Sequence, residues 1–217
     1  MSKSLRMLLI AGAAGLGISL AHAADDDSTL TNEGSRTDRI AASSDSQTVV
    51  VDRLSNDFSS TYGTGTSALI NGLRGGSTTL TVTDSSGSTA TLTPPAQKGK
   101  MGYGEIFIIL ALTQASATGQ GTGSATAQQL ATAMNTILTD RASGMGWGRI
   151  AKSLNLNLGL VIAQIRSGNE RLTTAVRHER AERAARADRP DKADRPERPD
   201  KPDRPQRPDR PERPGKG

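Results

Sequence analysis

The chain contains no cysteine, only two histidines, two tyrosines and two phenylalanines, and a single tryptophan in 217 residues. Without cysteine there can be no disulfide, no thiolate nucleophile and no cysteine-bound zinc, so packing alone must hold the fold. His22 lies in the N-terminal segment and His178 on a charged helix near the C-terminus. The central domain therefore has no imidazole, and Ser/His/Asp and Cys/His arrangements fail. No acidic cluster has metal-ligand spacing. The glycine-rich stretches GTGTSALINGLRGG and GQGTGSA lack the Gly-Lys-Ser/Thr of a phosphate loop. No cofactor and no metal are expected. Hydrophobic residues are 34% of the chain, which suits one modest core flanked by polar tails.

The front end has a recognisable order. Lys3 and Arg6 precede an apolar stretch from Leu8 to Leu20, followed by Ala21-His22-Ala23 and then Asp25-Asp26-Asp27. The apolar stretch is shorter than the roughly 20 residues that a permanent membrane span needs. A positive start, a short apolar run and a small-x-small site define a secretory signal peptide. Residues 1–24 are read as that signal, cleaved after Ala23 or Ala24. The expected location is periplasmic or secreted, with no lipid anchor because no cysteine follows.

The overall charge of +5 suggests a nucleic-acid binder until it is partitioned. Residues 25–97 carry four bases and nine acids, and residues 98–187 carry eleven bases and five acids. The tail from Asp188 carries ten bases and eight acids. The chain is a dipole, without the uniform basic footprint that drives nucleic-acid affinity.

Periodicity organises the rest into a mainly α domain with one small β-hairpin, an α+β fold with unstructured termini. Residues 25–46 are acidic, rich in Ser and Thr and without period, which reads as a disordered linker. The domain proper is expected over 47–167. Val50, Val51, Leu54 and Phe58 lie at helical spacing, with Ser46 as a cap. TSALINGLRGG gives a second short helix ending at Gly75-Gly76. Leu80 and Val82 alternate with threonines, and Ala90 and Leu92 repeat the pattern after a turn at Asp84–Gly87, predicting a hairpin at 77–93. GYGEIFIILALTQAS is apolar almost all round, as the buried centre of a bundle would be. Leu130, Met134, Ile137 and Leu138 form one stripe of a further helix. Residues 168–187 read as a solvated charged helix carrying the pairs Glu179/Arg183 and Glu182/Arg186. From Pro190, proline recurs every third residue, with Ala193 standing in once, each up to Pro211 followed by an acid (once Gln206) and a base. Residues 188–217 thus read as a mixed-charge polyproline II rod. It is an extended spacer, or a segment that meets an anionic envelope surface or an envelope protein.

GMGWGRIAKSLNLNLGLVIAQIRS, residues 144–167, looks like a DNA-binding helix-turn-helix. Ile150, Ala151 and Leu154 suit the first helix, Asn155 the left-handed turn, and Leu156, Val161 and Ile165 the second. A recognition helix must show polar side chains to base edges. Here the outward positions are Asn157, Gly159, Leu160, Ile162 and Ala163, with Gln164 the only long polar group. A helix apolar on both sides is expected to be packed on both sides. The segment reads as a structural corner, without nucleic acid as a partner.

Two aromatic residues sit between glycines at helix starts: Gly102-Tyr103-Gly104-Glu105, and Gly146-Trp147-Gly148 preceded by Gly144. Close packing of two helix starts explains them. A small groove with Tyr103 and Trp147 as stacking faces and Glu105 as polar anchor would suit a sugar or peptide. FSSTYGTGTSALINGLRGG, MGYGEIFIILALTQAS and GMGWGRIAKSLNLNLGLVIAQI resemble a family of uncharacterised exported proteobacterial proteins, over roughly residues 48–166. The resemblance implies an extracytoplasmic domain, with Gly102, Tyr103, Gly104, Gly146, Trp147 and Gly148 as family features, and supplies no catalytic residue. The expected function is that of an exported, non-enzymatic structural or interaction protein of the cell envelope. The alternatives are a cell-wall or glycan hydrolase using Glu105, which would need a second facing carboxylate such as Asp57 or Asp140, and a DNA-binding protein.

Overall fold

Ten residues of one helix, from Tyr103 to Thr113, are buried almost without interruption, and four other helices pack against it. The structure, a computed structural model, describes residues 19–96, 99–119 and 124–187. The elements run α1 (Ser19–Ile40), α2 (Ser44–Tyr62), α3 (Thr66–Gly75), β1 (Leu80–Thr83), β2 (Thr89–Leu92), α4 (Tyr103–Ala117), α5 (Ala127–Ala142), α6 (Trp147–Ser153) and α7 (Leu158–Ala187). The fold is mainly helical with one antiparallel hairpin, as the periodicity predicts. The bulk of the expected signal peptide and all of the repeat tail lie outside the described residues. The described residues up to Arg180 form one compact unit, and a second begins at Ala181. In the second, Glu182 and Arg186 pair across one turn at 3.6 Å.

The buried face of α4 explains its place. Ile106, Phe107, Ile108, Ile109, Leu110 and Leu112 are each essentially inaccessible, and each such side chain contributes roughly 1.5–3 kcal/mol on leaving water. Phe58 of α2 meets Phe107 edge-on at 5.7 Å. Tyr62 is fully buried and donates its hydroxyl to the Leu110 carbonyl at 3.1 Å. Burial pushes its phenol well above the ordinary range. A polar chain crosses the same layer: Gln164 of α7 donates to Gln114 of α4 at 2.8 Å, and Gln114 donates to Thr61 of α2 at 2.6 Å.

The hairpin pairs Leu80 with Leu92 and Val82 with Ala90, so the apolar positions share the core face. Its turn is organised by Asp84, a buried acid. One carboxylate oxygen accepts from the Ser86 amide and hydroxyl and from the Ser88 amide, and the other accepts from the Ala127 amide at the start of α5. The Ser86 hydroxyl contributes most to holding this carboxyl below its usual range; burial opposes it, and the three amides reinforce it. Thr126 and Gln129 complete a capping box at the same helix start.

Three helices stop in the same way. Gly76, Gly144 and Asn155 have φ of 69°, 85° and 54°, and the amide after each reaches back five residues: Ser77 to Gly72, Met145 to Asp140, Leu156 to Ala151. This is the left-handed ending that favours Gly and tolerates Asn. Asn155 makes the turn expected of it.

Four expectations need correction. Residues 25–46 are not a linker: they form most of α1 and the start of α2, with Leu30, Thr37 and Ala41 buried. The cap of α2 is Ser43, whose hydroxyl accepts from the Ser46 amide at 3.3 Å. The charged helix does not begin at 168: α7 runs unbroken from Leu158 and buries Gly168, Asn169, Leu172 and Val176, while residues 180–187 are exposed as expected. The segment after Gly146 is not packed on both sides. Ile162 is buried, but Asn157, Gly159, Leu160 and Ala163 face outward, Leu160 with 57% of its surface exposed.

Candidate functional site

The two glycine-aromatic-glycine starts are joined by α1. Gly102 and Gly146 are the N-caps of α4 and α6, both in extended conformation. The amide of Gly104 donates to Asp38 at 3.0 Å, and that of Gly148 donates to Asp27 at 2.9 Å. Asp27 and Asp38 are eleven residues apart on one helix, three turns or about 16 Å along its axis, and so lie on one face. Each carboxylate satisfies a backbone N–H that has no partner within its own helix and meets the positive end of that helix.

Glycine is required for this approach. A Cβ on Gly104 would lie 1.9 Å from the Gly34 carbonyl oxygen, so α1 and α4 touch backbone to backbone. A Cβ on Gly102 would lie 2.8 Å from the Asp38 carboxylate, and one on Gly146 3.0 Å from that of Asp27. Gly144 does different work, as the left-handed stop of α5.

The aromatic rings are covered. Tyr103 and Trp147 are 6% and 3% exposed. The Arg74 guanidinium lies 4.6 Å from the Tyr103 ring centre, and that of Arg141 lies 4.4 Å from the Trp147 ring centre. Arg74 also donates to the Met101 carbonyl. Arg141 donates to the Met145 carbonyl at 3.3 Å and to Glu105 at 3.0 Å. Glu105, in the first turn of α4, is thereby tied to the cation that covers Trp147. The structure thus brings Glu105 and Trp147 together through Arg141, and Tyr103 stands at the same helix start as Glu105. The arrangement can fix three helices against one another. Of the carboxylates considered as partners for Glu105, Asp57 is engaged elsewhere, by Arg171 at 3.0 Å and Arg53 at 3.6 Å between α2 and α7.

A second polar junction escapes the sequence reading. Asn169 of α7 is fully buried. Its amide donates to the Glu33 carbonyl and carboxylate, each at 2.9 Å, and its oxygen accepts from Thr37 at 2.7 Å. Arg166 pairs with the same carboxylate at 3.2 Å. Burial acts to raise the Glu33 pKa, but Asn169, Arg166 and Arg36 outweigh it and hold the carboxyl below its usual range. The sequence signal is faint: an asparagine on an apolar helix stripe, one turn before Leu172.

A groove of about 640 Å³ lies between α2 and α7, lined by Asp52, Arg53, Asn56, Arg171, Thr174 and His178 among others. None of the expected site residues lines it. Among the described residues no group of three or more acids and histidines is placed to hold a metal, and no helix is long and apolar enough to cross a membrane.

The chain matches no protein-family model, no curated protein and no solved structure.

Proposed function

We propose that the protein is exported and serves the cell envelope as a structural or interaction protein without catalytic activity of its own. The observation that carries this reading is the occupancy of the Gly102–Glu105 and Gly146–Gly148 region. Its carboxylate, both aromatic faces and its helix-start amides are each engaged by another part of the same chain. A glycosidase acid would need to meet substrate and face a second carboxylate, whereas Glu105 meets Arg141. The order of residues 1–24 supports export, and cleavage after Ala23 or Ala24 would leave Asp27 and its contact in the mature chain. The mixed-charge tail supports an extended spacer or an anionic envelope contact. Against nucleic-acid recognition stands Gln164, the one long polar group between residues 157 and 165, which is bonded inward to Gln114.

Fractionation of producing cells with intact-mass measurement is the test. A periplasmic or secreted chain shortened at Ala23 or Ala24, with no turnover of peptidoglycan, is expected. A full-length cytoplasmic chain, or glycan turnover abolished in Glu105→Gln, would overturn the reading.

A further inference from the structure

Among the described residues, the outer face of the α6–α7 corner is where a large apolar side chain is left uncovered. Leu160 is the exposed large hydrophobic residue among those described. Gly159 and Ala163 flank it on the same face, and Leu154, Leu156 and Leu158 are half-buried around the turn. Asn155 and Asn157 are exposed between these leucines. Beside them on α6, Arg149 and Lys152 are exposed. Neither is in an ion pair among the described residues. No acid occurs in the sequence between Asp140 and Glu170. Asp27, the acid that approaches α6, is turned onto the Gly148 amide. The corner thus combines an exposed leucine with two exposed cations that make no ion pair among the described residues.

We infer that this corner docks on an anionic lipid surface, placing Leu160 among the acyl-chain boundary and Arg149 and Lys152 at the headgroups. The inference deepens the envelope reading and rests on it for access to such a surface. Three occupants compete for an exposed apolar patch. A second copy meeting this face about a two-fold axis would bring Arg149 and Lys152 of both chains together without an acid to offset them. Nucleic acid would satisfy the cations but offers Leu160 little apolar surface, a thymine methyl or a base step opened at the cost of unstacking. A leaflet with anionic headgroups takes both parts, since apolar insertion and electrostatic attraction add at that interface. Each cation near such a leaflet strengthens binding about fivefold. One leucine and two cations make a weak, reversible attachment.

The test is co-sedimentation of the full mature chain with vesicles of phosphatidylglycerol and phosphatidylethanolamine, and with phosphatidylcholine alone. Binding to the anionic vesicles is expected, with at least a tenfold loss in Arg149→Glu/Lys152→Glu and a similar loss in Leu160→Asp. The tail is unchanged in these variants, so equal binding by wild type and variants would overturn the inference, as would no binding by wild type. Leu160→Trp provides a second readout that does not depend on loss of binding. Trp147 is buried, so the new indole should blue-shift on anionic vesicles; an unshifted spectrum at saturating lipid would overturn insertion. Duplex binding weakened by the charge reversals but indifferent to Leu160→Asp, without vesicle binding, would assign the corner to nucleic acid. A dimer that Leu160→Asp dissociates, again without vesicle binding, would assign it to self-association. Vesicle binding by a chain that proves cytoplasmic would leave this inference standing while the envelope reading fell.

Discussion

Met101-Gly102-Tyr103-Gly104 and Met145-Gly146-Trp147-Gly148 differ in one residue, and the same three contacts form at each. An aspartate of α1 accepts the amide of the second glycine, an arginine from the end of the preceding helix covers the ring, and that arginine donates to the methionine carbonyl. The two glycines of the motif differ in what they face. At Gly104 the backbones of α1 and α4 are in contact and nothing flexible separates them. At Gly102 and Gly146 the nearest group is an aspartate side chain, of Asp38 and Asp27 respectively, which can move. Arg74 serves one joint only, whereas Arg141 also reaches Glu105 and links the two. The two glycines of the motif therefore do different work: the first, Gly102 or Gly146, faces a side chain that can yield, and the second, at Gly104, faces a backbone that cannot.

That difference can be broken at the glycines. Gly104→Ala should destabilise by about 3 kcal/mol or more, since neither backbone can yield; Gly146→Ala should cost about 1 kcal/mol, because Asp27 can rotate away. Urea midpoints of the two variants measure the contrast, and equal midpoints would remove it. Next come the carboxylates. Asp38→Ala and Asp27→Ala should each cost about 1 kcal/mol, the usual value of a helix cap. The double variant should release α1, visible as faster hydrogen exchange across residues 27–40 than in either single variant. The arginines give a smaller, asymmetric effect. Arg141→Lys should shift the emission of Trp147 and lower stability by about 1 kcal/mol, through lost stacking and a lost planar fork. Arg74→Lys should leave that emission unchanged.

The smallest effect is one of pH, and it concerns the Glu33 junction on the same helix. The folded carboxyl titrates below its unfolded value. Its stabilisation is therefore fully present above the unfolded carboxylate range, near pH 4.3, and is lost as pH falls through the lower folded value. Thermal melts from neutral to acid pH should show this loss, reduced in Asn169→Ala. A loss as large in the variant would exclude Asn169 as a cause.

The central helix was legible because large apolar side chains on every side of α4 leave no solvated face. The hairpin, the stripe on α5 and the turn at Asn155 were legible for similar reasons, each having a period or a residue type that only one conformation accommodates. Helix α1 was not. Its inner face is Leu30, Gly34 and Thr37, with Ala41 just after it, and only one of these is a large hydrophobe, so hydropathy finds no stripe. Close approach to Gly104, not burial of bulk, selects those residues. At the candidate site the two motifs were visible as motifs, and so was the suggestion that they belong together. Their partners were not, because Asp27, Asp38, Arg74 and Arg141 look like ordinary surface charges until the tertiary fold brings them in. Asn169 was hidden in the same way.

The span of chain closed by the α1 contacts has a consequence for timing. Asp38 waits for Gly104, 66 residues later, and Asp27 for Gly148, 121 residues later. Pairings so distant in sequence form late. A chain made at about 5–20 residues per second holds its first helix without either joint for on the order of ten seconds after that helix has been synthesised. The acidic sequence of α1, poor in large apolar residues, is suited to that interval: it stays soluble while unpartnered, and it completes the domain only when the last of its glycine-bearing helices has arrived.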